Sequence, residues 1–242
     1  MKELYFLAGL PRSGSTLLTS ILYQNPTIHT EGHSALCNVM WDTQMSLENN
    51  PHLKATGREH TKADIMSMLP KAYYAQQERD IVLDKSFTWT LSGNIEMIQK
   101  YITPAPKFIV MERTIDEIVN SFLGLMERSD SNGVFDISNF TGTLQERREQ
   151  AIRAEGGSLH ADIRAYNNAK DHSDQSMFHY VSYKDLVEKT QETIDGIYTF
   201  LGLPLFDHDL GNIENLHTED DTVWGFKDMH TIRPVISYRG NS

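Results

Sequence analysis

The chain has 242 residues, with 22 Lys and Arg against 33 Asp and Glu, a formal charge of −11, and 39% apolar residues. That balance fits a folded globular protein and excludes a disordered tail, a collagen or a coiled coil. A single cysteine, Cys37, excludes an intramolecular disulfide framework and a cysteine-rich zinc site. The acidic surface argues against nucleic acid as a partner, so an anionic ligand has to be held by a local basic pocket.

Met1-Lys2-Glu3 leads directly into the apolar run Leu4-Tyr5-Phe6-Leu7-Ala8, which reads as a buried strand rather than a signal peptide. The expected compartment is the cytoplasm. No apolar run approaches the roughly 20 residues that span a bilayer, so stable membrane insertion is not expected. Further short apolar runs predict strands at 81–83, 107–111 and 177–181. Helical periodicity marks 15–24, 60–77, 115–127, 144–155, 159–170 and 184–201, the last closed by Gly202 and Pro204. Strands alternating with helices indicate an α/β fold, a central parallel sheet flanked by helices, in one domain over 1–242. The polar stretch 129–142 reads as a loop or lid, and the segment after Leu205 as a tail that wraps back over the sheet.

The sharpest chemical signal is Gly9-Leu10-Pro11-Arg12-Ser13-Gly14-Ser15-Thr16, between the first strand and the first helix. Backbone N–H groups of such a loop and the helix N-terminus form an anion cradle. Gly9 and Gly14 have the spacing of a nucleoside-triphosphate loop, G-x-x-x-x-G-K-[ST], but Ser15 stands where the lysine belongs. The cation has moved into the loop as Arg12, an arrangement better suited to a terminal 5′ group than to γ-phosphate transfer.

At this point the sequence resembles the PAPS-dependent sulfotransferases, whose first strand is followed by P-[KR]-S-G-[ST]-[ST]. Pro11-Arg12-Ser13-Gly14-Ser15-Thr16 matches at every position. The resemblance implies a P-loop-like sulfotransferase fold and a loop that grips the 5′-phosphosulfate of 3′-phosphoadenylyl sulfate (PAPS). The family's 3′-phosphate motif, an arginine at a strand end and a serine eight residues later, is met by Arg113 and Ser121. The segment Tyr183-Lys184-Asp185-Leu186 and the closing Phe200-Leu201-Gly202 also match, which implies Tyr183 beside the adenine; Tyr183 packing under the last helix is the plainer alternative. Arg233, in His230-Thr231-Ile232-Arg233, is a candidate to close over the nucleotide.

In-line sulfuryl transfer needs cations where charge develops and a base for the acceptor proton. Lys85, in Asp84-Lys85-Ser86 at a strand end, sits where the family stabilises the leaving phosphate, with Arg12. The base histidine of the cytosolic small-molecule branch is replaced by Phe87, so the chain is expected to lie closer to the tyrosylprotein and carbohydrate branch. Counting from the loop puts His33 at that branch's base position, with Glu31 two residues earlier, and His33 ranks slightly ahead. The expected reaction moves SO₃ from PAPS to a hydroxyl or amine without a metal, leaving adenosine 3′,5′-bisphosphate. Its partner is an acceptor: a glycan, a tyrosine, a lipid or a small metabolite. Two rivals remain: a kinase-like phosphotransferase with a degenerate loop and Asp84 as Mg²⁺ ligand, and a non-catalytic nucleotide-binding module.

Overall fold

The computed structural model describes residues 2–215 and 219–232. The predicted strands form as β1 (Glu3–Gly9), β3 (Ile81–Lys85), β4 (Phe108–Glu112) and β5 (Phe178–Ser182), joined by a short strand β2 (Ile28–Thr30). All pair in parallel, in the order β2-β3-β1-β4-β5. Parallel strands are covered on both faces, which is why β1 reads as an unbroken apolar run. Side chains alternate across it. Phe6 and Ala8 join Val82, Phe108, Val110 and Trp89 on one face, while Tyr5 and Leu7 join Leu83, Ile109 and Met111 on the other.

Helices cover both faces. α1 (Ser15–Leu22) and α10 (Thr190–Leu201) bury Leu18, Ile21, Ile194 and Ile197 on the Leu7 face. α2 (Leu36–Glu48), α4 (Thr61–Tyr73), α5 (Ser92–Tyr101) and α8 (Ser158–Asp171) carry residues that pack on the Phe6 face, among them Met40, Met66, Ile98 and Ala169. α6 (Ile115–Ser129) and α7 (Leu144–Arg153) build a third cluster with Phe135 and Phe226. α3 (Pro51–Ala55) is a single turn, and α9 (Tyr183–Glu188) precedes α10.

Three differences from the sequence reading have local causes. The helix predicted over 184–201 is broken at Lys189, whose backbone leaves the helical region (φ −130, ψ 43). α2 and α5 were not marked by the periodicity; α5 carries Asn94 as well as Ile95, Met97 and Ile98 on its buried side, which blurs the apolar stripe. The 130–143 segment is irregular, yet it is anchored: Phe135 is buried, and a side chain at Gly133 would strike the Phe226 ring, 2.1 Å from an ideal Cβ. The described residues after Leu205 lie back on the body of the protein, with Ile213 and Phe226 buried in two different clusters.

The carboxyl ends of β1, β3, β4 and β5 share one edge of the sheet, so the segments at Arg12, Ser86, Arg113 and Tyr183 emerge together. The β1 crossover runs toward β2 and that of β4 toward β5, which opens a crevice between them. Gly9 closes that junction at φ 112, where an added Cβ would lie 2.2 Å from the Met111 carbonyl oxygen.

Asp84 anchors the opposite flank of this edge. It is fully buried and accepts from Ser34 Oγ (2.8 Å), Tyr74 Oη (2.6 Å) and Trp89 Nε1 (2.6 Å). Ser34 Oγ in turn accepts from the Leu36 amide at the start of α2 (2.9 Å), and the Ser34 amide donates to the Lys85 carbonyl (2.8 Å). The 31–34 segment is thereby laid against the end of β3. Burial pushes the Asp84 carboxyl up to about 6, against the three donors that pull it down.

Two stability predictions follow from these contacts. Gly9→Ala combines a backbone clash with a left-handed φ and should cost at least ~2 kcal/mol, read from the urea midpoint. Tyr74→Phe removes a donor that serves the ionised carboxylate and should cost about 1.5–3 kcal/mol. Because the folded-state pKa of Asp84 lies above its unfolded value, its favourable contribution is complete at low pH and lost as pH rises through about 6. The Tyr74→Phe deficit should therefore be largest above pH ~6 and shrink below pH ~5; a deficit independent of pH would contradict this account.

Candidate active site

The loop after β1 turns back on itself before α1 begins. Its Leu10 amide donates to the Met111 carbonyl (3.0 Å), and the Ser13 hydroxyl donates to the Leu10 carbonyl. Arg12 and Gly14 both adopt left-handed backbone (φ 58 and φ 89), the alternation that turns successive amides toward one side. No side chain caps α1, so its first-turn amides keep their affinity for an anion. Gly14 is required here, since a Cβ would lie 2.7 Å from the Tyr183 ring.

A cleft of about 480 Å³ opens beside this loop, lined by Arg12, Gly14, Ser15 and Thr16 on one side and Arg113, Ser121 and Tyr183 on the other. Arg113 Nη1 donates to the Arg12 carbonyl (2.7 Å), and Arg12 Nε donates to Ser121 Oγ (3.2 Å). The two sequence clusters are thus hydrogen-bonded to each other across the β1–β4 crevice. Ser121 accepts with its oxygen, which leaves its own proton for a ligand. Arg12 Nη1 also donates to the Met229 carbonyl of the tail (2.6 Å). Burial, then the charges of Arg113 and Arg128, hold the Arg12 guanidinium down at about 10, so it remains charged at neutral pH.

Arg113 lies over the Tyr183 ring, its guanidinium carbon 4.3 Å from the centroid. Glu117, one helical turn on, is 4.0 Å from its Nε, the surface-type pair that an isolated strand-end arginine would form. That Nε is buried and has no hydrogen-bond acceptor among the described residues. Arg113, with a buried Nε and a side chain in the cleft lining, suits a phosphate ligand.

Arg128 also lines the cleft, a cation that the motif reading missed. Glu117, Asn120, Ser121, Gly124 and Arg128 share one face of α6 at three- and four-residue spacing, and that stripe carried the signal. A Cβ at Gly124 would lie 3.3 Å from Arg128 Nη1, so the glycine lets the guanidinium fold back along the helix.

The remaining predicted residues divide. Ser13 is completely buried and its hydroxyl is spent inside the loop; it does not line the cleft. Lys85 is buried beside the cleft rather than in its lining. Burial pushes its ammonium down to about 8, Glu219 pulls it up and Arg12 pushes it down, which places both near it. His33 is exposed at one surface but packs edge-on against Phe87 (5.1 Å between centroids). Surrounding protein, then Lys85 and His230, hold its imidazole well below the ordinary range, so it is neutral at pH 7. Glu31 faces elsewhere: Tyr74 Oη donates to its Oε1 (3.2 Å) and His29 Nε2 lies 3.5 Å from its Oε2. Arg233 lies outside the described residues. Among the described residues, no helix is long and apolar enough to cross a membrane.

No curated protein matches the chain in sequence. Among solved structures it is similar to the sulfotransferase domain from the curacin biosynthetic pathway, with TM-score 0.55, 18% identity, 87% of this chain covered and 77% of that one. The sulfotransferase domain of the Synechococcus PCC 7002 olefin synthase gives TM-score 0.51 at 18% identity, covering 85% and 74%. Sulfotransferase STF1 from Mycobacterium tuberculosis H37Rv gives 0.50 at 18%, covering 86% and 69%. At such identities the likeness concerns the fold alone. A sequence model described as "Sulfotransferase family" matches residues 5–208, from β1 to beyond α10 and so across both arginine clusters. The chain belongs to the sulfotransferase family.

Proposed function

We propose that this protein transfers a sulfuryl group from PAPS to a hydroxyl or amine acceptor. The observation that carries the reading is the contact of two arginine-and-hydroxyl clusters in one cleft, with the buried Nε of Arg113 lacking a hydrogen-bond acceptor among the described residues. Both phosphates of a 3′,5′-bisphosphate hang from a single ribose, and adjoining clamps suit them. In this reading Arg12, Ser15, Thr16 and the loop amides hold the 5′ end, while Arg113 and Ser121 hold the 3′-phosphate. Arg128 adds a third cation. Tyr183, packed on Gly14 and under Arg113, offers its ring to the adenine.

PAPS supplies the activated sulfuryl group. The chain's contribution is placement and charge: the loop orients the group, and Arg12 and Lys85 face the oxygens that gain charge. His33 and Glu31 remain candidate proton acceptors in this reading, His33 as a neutral imidazole and Glu31 only if its ties to Tyr74 and His29 are released. The acceptor class is a glycan, a tyrosine, a lipid or a small metabolite, and the proposed setting is the cytoplasm. A Mg²⁺-dependent phosphotransferase is disfavoured by a specific contact, since both oxygens of Asp84, the metal ligand it would need, are engaged by three donors.

Calorimetry tests the reading. Adenosine 3′,5′-bisphosphate should bind without Mg²⁺ and ADP far more weakly. Arg113→Ala should weaken the bisphosphate by roughly 10- to 100-fold, the scale of charged hydrogen bonds. Tighter binding of ATP with Mg²⁺ than of the bisphosphate would reject a sulfotransferase function for this cleft.

A further inference from the structure

The tail brings a second set of titratable groups to the same cleft. His230 is part of its lining, and His230 Nδ1 lies 2.5 Å from Asp221 Oδ1. The other oxygen of Asp221 accepts the His230 backbone amide (3.1 Å), so one carboxylate holds both the ring and its backbone. Asp221 is itself set by a short 3-10 turn, Asp221–Trp224, whose first residues are tied by Asp220 accepting from the Thr222 amide. Asn215 Nδ2 donates to the His230 carbonyl (3.0 Å) from the other side. Because a carboxylate can only accept, Nδ1 carries the ring proton and Nε2 keeps its lone pair.

Glu219 completes the cluster. Its Oε2 is 3.5 Å from His230 Nδ1, while its Oε1 is buried with no hydrogen-bond partner among the described residues. The Glu219 carboxylate is pressed onto Gly32, where a Cβ would lie 2.1 Å from Oε1, and Gly32 is the residue before His33. Lys85 and Arg12 are the nearby cations, the former near enough to Glu219 and the latter near enough to Asp221 for each pair to perturb one another. The two histidines therefore differ in kind. His33 has Lys85 and His230 as its charged neighbours, which oppose protonation, whereas the His230 ring nitrogen lies beside the carboxylates of Asp221 and Glu219.

We propose that His230, oriented by Asp221, is the group that takes the acceptor's proton, in place of His33 or Glu31; this rests on the sulfuryl-transfer reading above. The acceptor's O–H proton passes to Nε2 as its oxygen bonds to sulfur. The bond from sulfur to the donor's phosphate oxygen breaks, and its electron pair stays on that oxygen, which Arg12 and Lys85 neutralise. The imidazolium, paired with Asp221, then returns its proton to solvent. Asp221 acts as a positioning residue, since it fixes the tautomer without meeting the substrate.

The test uses His230→Gln, His33→Gln and Asp221→Asn in the full chain. Bisphosphate affinity, by calorimetry, should stay within about threefold in His230→Gln, while bisphosphate release from PAPS, with water or a phenol as acceptor, should fall about 100-fold or more. Added imidazole should restore part of that rate, and His33→Gln should lose less than about tenfold. Independently of turnover, the nitrogen NMR shifts of the neutral His230 ring should place its proton on Nδ1 in the parent and show a mixture of tautomers in Asp221→Asn. Turnover of His230→Gln within threefold of the parent, or a His230 tautomer unchanged in Asp221→Asn, would overturn the proposal. Failure of the parent protein to bind the bisphosphate would overturn the sulfotransferase reading and this one together.

Discussion

The site depends on one electrostatic constraint: three guanidinium groups converge on a crevice in a protein whose net charge is −11. Arg12 and Arg113 are joined through backbone and hydroxyl contacts. Burial first, and then the repulsion of Arg113 and Arg128, depresses the proton affinity of Arg12. A polyanion relieves that repulsion. Glu117, 4.0 Å from Arg113, tempers the field without cancelling it, and Asp228 in the lining does the same at the mouth. The left-handed backbone of Arg12, unusual for a residue with a side chain, is held because both ends of that residue are fixed, its carbonyl by Arg113 and its guanidinium by Ser121 and Met229.

A second constraint ties the sheet to the chemistry. Asp84 precedes Lys85 on β3, and its alternation places one side chain in the apolar layer with Trp89 and the other at the cleft. Burying a carboxylate there is costly, and three donors offset part of that cost. In return the 31–34 segment is fixed against the strand end, which sets His33 and the glycine on which Glu219 rests. Phe87 becomes a wall for the His33 ring.

Much of the architecture was legible because it rests on local signals. The apolar runs of β1, β3, β4 and β5 declare buried parallel strands, and the glycine loop between β1 and α1 marks a candidate anion site. β2 was not legible, since three residues after Pro26 are too few to show alternation and owe their strand to pairing with β3. Within the loop, residue type did not reveal that the Ser13 hydroxyl is turned inward, because that depends on how tightly the chain closes on Leu10.

By itself, then, the sequence determined the fold class and the parallel sheet and marked Arg12 and Arg113 as candidates for one anion site, since each is written in short-range pattern and spacing. Only the tertiary structure decided which ionisable groups meet. Arg128 reaches the cleft through the helical turn that follows Ser121, and Glu31 is drawn off toward Tyr74. The Asp221–His230 pair reaches the cleft only because the tail folds back across the ends of β1 and β4. The physical reason is that charge acts over a few ångströms of space. Residues more than a hundred positions apart in the chain become neighbours only after the core has set the distances between them.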